Sequence, residues 1–173
     1  MKTVVLTGPK HSGKTSAGKV LASLCSCEFI DLDELILQRT GKSPRQLYSE
    51  GPAVFQKAEA EATAALLGAD GGGGQRVIAA GGGIIDNAEA AAALKTPGAT
   101  VAYLDISAES AWDRIANSGE LPPFLQTENP RETHRALHER RAAAYLRIAD
   151  IVIEAGAKTP QEIAEEILIY IDK

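Results

Sequence analysis

The sequence predicts an α/β fold in three layers, with a parallel sheet of five strands held between helices. Two observations lead to it. Short apolar runs alternate with helical segments of about ten or more residues along the whole chain. The runs are continuously apolar, as strands covered on both faces require. A length of 173 residues, with 45% hydrophobic and 24% charged side chains, suits one domain over residues 1–173 with a single buried core.

Taken in order, Thr3 to Leu6 reads as the first strand, Gly8 to Gly13 as a turn-rich loop, and Lys14 opens a helix running to about Cys25. Glu28 to Ile30 is the second strand, ending at Asp31. Helical character returns over Asp33 to Arg39 and stops at Gly41. Pro44 suits the first position of a helix running to Ser49, and Phe55 to Leu67 forms another. Gly71 to Gly74 has no side chains to bury and reads as a surface loop. Val77 to Ala80 is the third strand, Asn87 to Leu94 a helix, and Thr100 to Leu104 the fourth strand. Ser107 caps a helix to Ala116, and the Gly- and Pro-bearing stretch 117–129 is a loop. Arg131 to Arg147 is a long helix, Ile151 to Ile153 the fifth strand, and Pro160 starts the last helix.

The chemistry begins at Gly8-Pro9-Lys10-His11-Ser12-Gly13-Lys14-Thr15, which matches G-x-x-x-x-G-K-[ST] in full, between a strand and a helix. Glycines there let the backbone wrap phosphates and aim N–H groups inward, and the helix N-terminus adds a positive field. Lys14 is the residue to reach the β- and γ-phosphates, and Thr15 the one to meet Mg2+.

Asp31 and Asp33 stand at the carboxyl end of the second strand, where open α/β sheets bind ligands. One could support a metal through water while the other orients or deprotonates an acceptor hydroxyl. The plainer alternative is a helix cap. Gly81-Gly82-Gly83 ends the third strand and permits close backbone approach to a ligand. No acidic residue closes that strand, which leaves Asp31 as the metal's second helper. Arg114, Arg140 and Arg141 flank the Pro-bearing loop, the form expected of a kinase lid.

A net charge of -5 argues against nucleic acid as the main partner. Two cysteines, Cys25 and Cys27, are too few for a thiolate zinc site. No apolar run of about 18 residues is present to span a membrane. The Met-Lys-Thr start leads straight into a strand without a secretory leader, so the expected location is the cytoplasm.

With the phosphate loop, Asp31-x-Asp33, Gly81-Gly82-Gly83 and Arg141 in this order, the sequence resembles the shikimate kinase family over nearly its whole length. The stretch FIDLDELILQRTGKSPRQLYSEGPAVFQKAEAEA is similar to the family's F-x-D-x-D, R-x-G-x-S and G-E-x-x-F-R-x-x-E segments. VIAAGGGII and ERRAAAYLRIAD are similar to its glycine-rich strand end and its R-x-x-x-Y-x-x-x-A segment. The resemblance implies a P-loop fold with sheet order 2-3-1-4-5, a substrate-binding helical region over 32–67 and a lid over 115–130. It implies a monomer that uses ATP and Mg2+ to phosphorylate the 3-hydroxyl of shikimate, on the route to chorismate and aromatic amino acids.

Carried over by residue, Gly8, Lys10, His11, Ser12, Gly13, Lys14, Thr15 and Ser16 hold the nucleotide, and Arg114 lies along the adenine. Thr15 and Asp31 serve the metal. Asp33 binds the acceptor's hydroxyls and acts as base beside Lys14. Gly81, Gly82 and Gly83 lie against the substrate, and Arg141 takes its carboxylate.

Three positions depart from the family pattern. His11 replaces a loop glycine. Gln56 stands where an arginine should grip the carboxylate, next to Lys57. Pro122 stands where the lid should carry an arginine. Lys57 and Arg131 are the nearest cations in the sequence to make good the loss. Three readings follow: a shikimate kinase, a kinase of another polyol or hydroxy acid, and a non-catalytic nucleotide-binding homologue.

Overall fold

The computed structural model describes residues 3–68, 74–119 and 121–171. Strand β1 (Thr3–Thr7) lies at the centre of a five-stranded sheet in the order β2-β3-β1-β4-β5. Its partners are β2 (Glu28–Asp31), β3 (Arg76–Ala79), β4 (Ala99–Asp105) and β5 (Ile151–Glu154), and every pairing is parallel. All carboxyl ends therefore open on one rim, and each strand delivers its following loop there.

Side chains along β1 alternate between two cores. Val4 and Leu6 pack with Ala17 and Leu21 of helix α1 (Lys14–Leu24) and with Ile163 and Ile167 of α8 (Pro160–Ile171). Val5 faces the other way, toward Ala62 and Leu67 of α4 (Pro52–Leu67), Ala90 of α5 (Ala88–Ala93) and Tyr145 of α7 (Pro130–Ile148). These are the outer layers of the predicted sandwich. The two edge strands break the pattern of continuous burial. Val152 of β5 is exposed, and β2 begins with exposed Glu28, because an edge is covered less completely than the centre.

Helices α2 (Leu32–Thr40), α3 (Pro44–Glu50) and α4 fill residues 32–67. Helix α4 starts at Pro52, earlier than its apolar spacing suggests, because proline serves as its first residue. Helix α3 carries a capping box unmarked by the sequence reading: Ser43 accepts from the Gln46 N–H, and the Gln46 side chain accepts from the Ser43 N–H. Ser107 caps α6 (Ala108–Ala116) by accepting from the Ser110 N–H. The loop after α6 holds one 3-10 turn at Pro123–Leu125, anchored by fully buried Leu125. Within the glycine run expected as a surface loop, Gly71 to Gly73 lie outside the described residues. Neither cysteine is in a disulfide. Among the described residues, no helix is long and apolar enough to cross a membrane.

Candidate active site

The rim formed by the ends of β1, β2 and β3 carries a cleft of about 830 Å³. One end of it, where the sequence places the nucleotide, is the loop between β1 and α1. Gly8 has φ 140°, and a side chain there would come within 2.6 Å of the Leu104 carbonyl, so the first turn of the loop admits only glycine. His11 has φ 60°, in the left-handed region. That is the physical reason a glycine suits this place, and histidine is among the residues that tolerate it best. Burial, then Lys10, Lys14 and Arg114, hold the His11 imidazole below its usual range.

Lys14 is buried with its Nζ donating to Gly8 O at 2.9 Å and Pro9 O at 2.7 Å, and lying 3.4 Å from the Ser12 hydroxyl. Burial pushes its pKa down to about 8, against the pull of Asp33 and Asp31 and with a further push from Lys10. Thr15 donates its hydroxyl to Asp31 Oδ2 at 2.9 Å. Asp31 Oδ1 accepts from the Asp33 N–H at 3.0 Å, so Asp31 caps α2 and meets the Thr15 hydroxyl at once. The two roles offered by the sequence are compatible because a carboxylate has two oxygens. Arg114 reaches across from α6, donating to His11 O at 2.8 Å and Gly156 O at 3.0 Å. Lys10, Gly13 and Ser16 line the same end.

The other end, where the sequence places the acceptor, is floored by the three glycines. A side chain on Gly82 would fall 2.9 Å from the Lys10 backbone nitrogen, so this segment runs directly against the phosphate loop. Tyr145 fastens the two: its hydroxyl donates to Gly82 O at 2.6 Å and lies 3.3 Å from Gly8 O, while its ring stacks on Tyr103. A Cβ on Gly81 would sit 3.3 Å from both Asp33 Oδ1 and Glu59 Oε1, and one on Gly83 would sit 3.3 Å from Arg141 Nη2. Asp33, Glu59 and Arg141 thus converge on the glycine floor. Burial and then Asp31 raise the Asp33 pKa, against Lys14 and Lys10. Arg141 donates through Nε to Asp86 Oδ2 at 2.8 Å, and Arg140 donates to Asp86 Oδ1 at 2.6 Å. Burial opposes the charge of Asp86, yet the two arginines win and hold it below the usual carboxylate range.

Glu59 escaped the sequence reading as a site residue. It is fully buried, and its Oε2 accepts from Asn87 Nδ2 at 3.0 Å while Oε1 has no partner. Burial, the largest cause, pushes its pKa up to about 7. The signal was the acidic end of the F-x-x-x-E spacing, since Phe55 and Glu59 line the cleft one helical turn apart.

Other expected positions lie elsewhere. Gln56 and Lys57 are exposed and do not line the cleft, and Lys57 stands 4.0 Å from Glu61. Helical phase carries Lys57 to the far side of α4 from Phe55 and Glu59, each step turning a side chain by about 100°, whereas Gln56, three residues before Glu59, stands at the margin of the face they present. Arg131 pairs with Glu109 at 3.3 Å, also away from the cleft. Neither cation named from the sequence makes good the missing charge. Pro122 does line the cleft, beside Leu121, Pro123 and Phe124, and Phe124 underlies the Arg141 guanidinium at 5.6 Å.

A family model described as Shikimate kinase matches residues 10–172. The chain belongs to the shikimate kinase family. A shikimate kinase of Sulfurihydrogenibium is 33% identical over 174 residues, covering 100% of this chain and 99% of the relative. One of Pseudomonas entomophila is 35% identical over 169 residues, covering 97% and 95%. The solved shikimate kinase of Acinetobacter baumannii, in complex with shikimate, superposes with a TM-score of 0.88 at 31% identity, covering 99% of this chain and 93% of that one. The superposition over nearly the whole of both chains shows one shared fold.

Proposed function

We propose that this chain transfers the γ-phosphoryl group of ATP to the 3-hydroxyl of shikimate. The observation that carries this reading is the convergence of Asp33 and Arg141 on one glycine floor, directly against the phosphate loop. A hydroxylated ring acid needs that pairing: one group to take the hydroxyl proton, one cation to hold the acid, and a floor bare enough to approach.

The loop's backbone and Lys14 would receive the β- and γ-phosphates, where Lys14 can offer three N–H donors. The residues present suit Mg2+. Among the described residues no group of three His, Cys, Asp or Glu side chains could hold a metal by itself. A hydroxyl at Thr15 backed by Asp31 is instead the sparse oxygen set that Mg2+ takes beside phosphate and water. Bound there, the cation would neutralise charge on the phosphates. Asp33 would accept the proton of the attacking hydroxyl, and its raised pKa brings it closer to working pH, which favours a general base. Arg141, held in orientation by Asp86, would take the substrate carboxylate. Arg114 would face the adenine, and residues 115–130 would close over both substrates as a lid.

The test is the identity of the product. Incubation with Mg-ATP and shikimate, followed by phosphorus NMR, gives a new phosphomonoester on the ring carbon bearing the 3-hydroxyl. Phosphorylation of a different hydroxy acid from a panel, with shikimate untouched, would replace this acceptor by another.

A further inference from the structure

The acceptor end of the cleft carries a cation that no motif announces. Arg45, the second residue of α3, lines the cleft with Asp33, Glu59, Gly83 and Arg141. Its position is set by packing. The reciprocal hydrogen bonds between Ser43 and Gln46 fix the start of α3, and buried Leu47 anchors the helix. Tyr48, three residues on, also lines the cleft, so Arg45 and Tyr48 share the helix face turned toward it. Tyr48 in turn meets Phe55 edge-on at 6.5 Å, joining α3 to the wall that α4 provides.

The distribution of charge gives Arg45 its task. Of the cations lining the cleft, Lys10 and Lys14 belong to the phosphate loop and Arg114 reaches the His11 carbonyl of that loop from α6, which by position leaves Arg141 and Arg45 for the other end. Arg141 faces the acceptor end, but shares Asp86 with Arg140. A substrate carboxylate entering beside Asp33 and Glu59 would meet two acids, and a desolvated carboxylate with too few partners is costly. Gln56 brings no charge and lies outside the lining. We propose that Arg45 is a specificity-determining residue which, with Arg141, grips the carboxylate of the acceptor in place of an arginine on α4. A guanidinium suits this better than an ammonium, because its fork gives a carboxylate two parallel N–H bonds. The proposal rests on shikimate being the acceptor.

The test compares shikimate with its methyl ester, which keeps the ring and hydroxyls but loses the charge. Arg45 is exposed, so its replacement spares the core. Arg45→Ala raises KM for shikimate roughly 10- to 100-fold, the loss expected of one charge-assisted contact, with kcat and KM for ATP little changed. KM for the methyl ester moves far less, Arg45→Lys falls between, and adding Gln56→Arg to Arg45→Ala recovers at least part of the shikimate KM. An unchanged shikimate KM in Arg45→Ala, or equal losses for acid and ester, overturns the role of Arg45 while leaving the kinase reading intact. A wild-type protein that turns over neither compound overturns the shikimate reading itself, and this proposal with it.

Discussion

At the nucleotide end of the cleft, the consecutive residues Gly8 to Thr15 supply the wrapped backbone, the ammonium and the hydroxyl. At the acceptor end, Asp33, Arg45, Glu59, Gly83 and Arg141 arrive from separate segments and meet only because the fold brings them together. The nucleotide end depends on local geometry, which one glycine or one lysine can destroy. The acceptor end depends on how α3, α4 and α7 stand around the sheet rim, so charge can move from one helix to another without loss of the site. On the proposed reading, that difference explains why the loop departs from the family pattern at His11 alone, while Gln56 and Pro122 depart from it around the acceptor.

The comparison breaks most sharply at Lys14. Lys14→Ala is expected to lower turnover on the order of a thousandfold, since it removes the charge meant for the transferring phosphoryl group. Circular dichroism should show the fold intact. A variant keeping more than about a tenth of wild-type turnover would deny Lys14 that place.

Asp33→Asn is expected to cost about a hundredfold in turnover, the scale of a lost general base. Calorimetric binding of ATP should stay near wild type, because Asp33 belongs to the other end. Equal loss of nucleotide affinity would join the two ends at this residue.

Gln56→Arg sharpens the contrast from the opposite side. Adding a guanidinium on α4 should lower KM for shikimate by about tenfold, with kcat nearly constant, as uniform binding predicts. An unchanged KM would mean that the α4 position faces away from the acceptor.

The last effect is on stability rather than activity, at Glu59. Its pKa rises from 4.5 to about 7 on folding, so the folded protein holds the extra proton between those values. Stability must then fall as pH climbs through that window and level off above it, by about 3 kcal/mol at most. Glu59→Gln should flatten this slope in urea melts run from pH 5 to pH 8. A slope identical to wild type would place the titration elsewhere.

How much was legible follows from the same contrast. The strand, loop and helix around Lys14 were readable because their residues are adjacent and their geometry is fixed by glycine and sequence order. Asp31, Asp33 and the glycine floor could be placed because strand ends in a parallel sheet share one rim. Arg45 and Glu59 could not be assigned, since their relevance depends on which face of α3 and α4 meets the cleft. The phase of α4 likewise takes Lys57 out of the lining, though it is two residues from one lining residue and two from another. Asp86 was hidden for a similar reason: it lies 55 positions from Arg141 and becomes its partner only when α7 packs across the rim.

The most direct measurement is ADP release by the wild-type protein at saturating Mg-ATP while shikimate is raised from micromolar to tens of millimolar. A phosphate loop of full strength serving an acceptor end with rearranged charge predicts shikimate-dependent, saturable release. Release that stays at the level of ATP alone across the whole range would contradict shikimate as the acceptor.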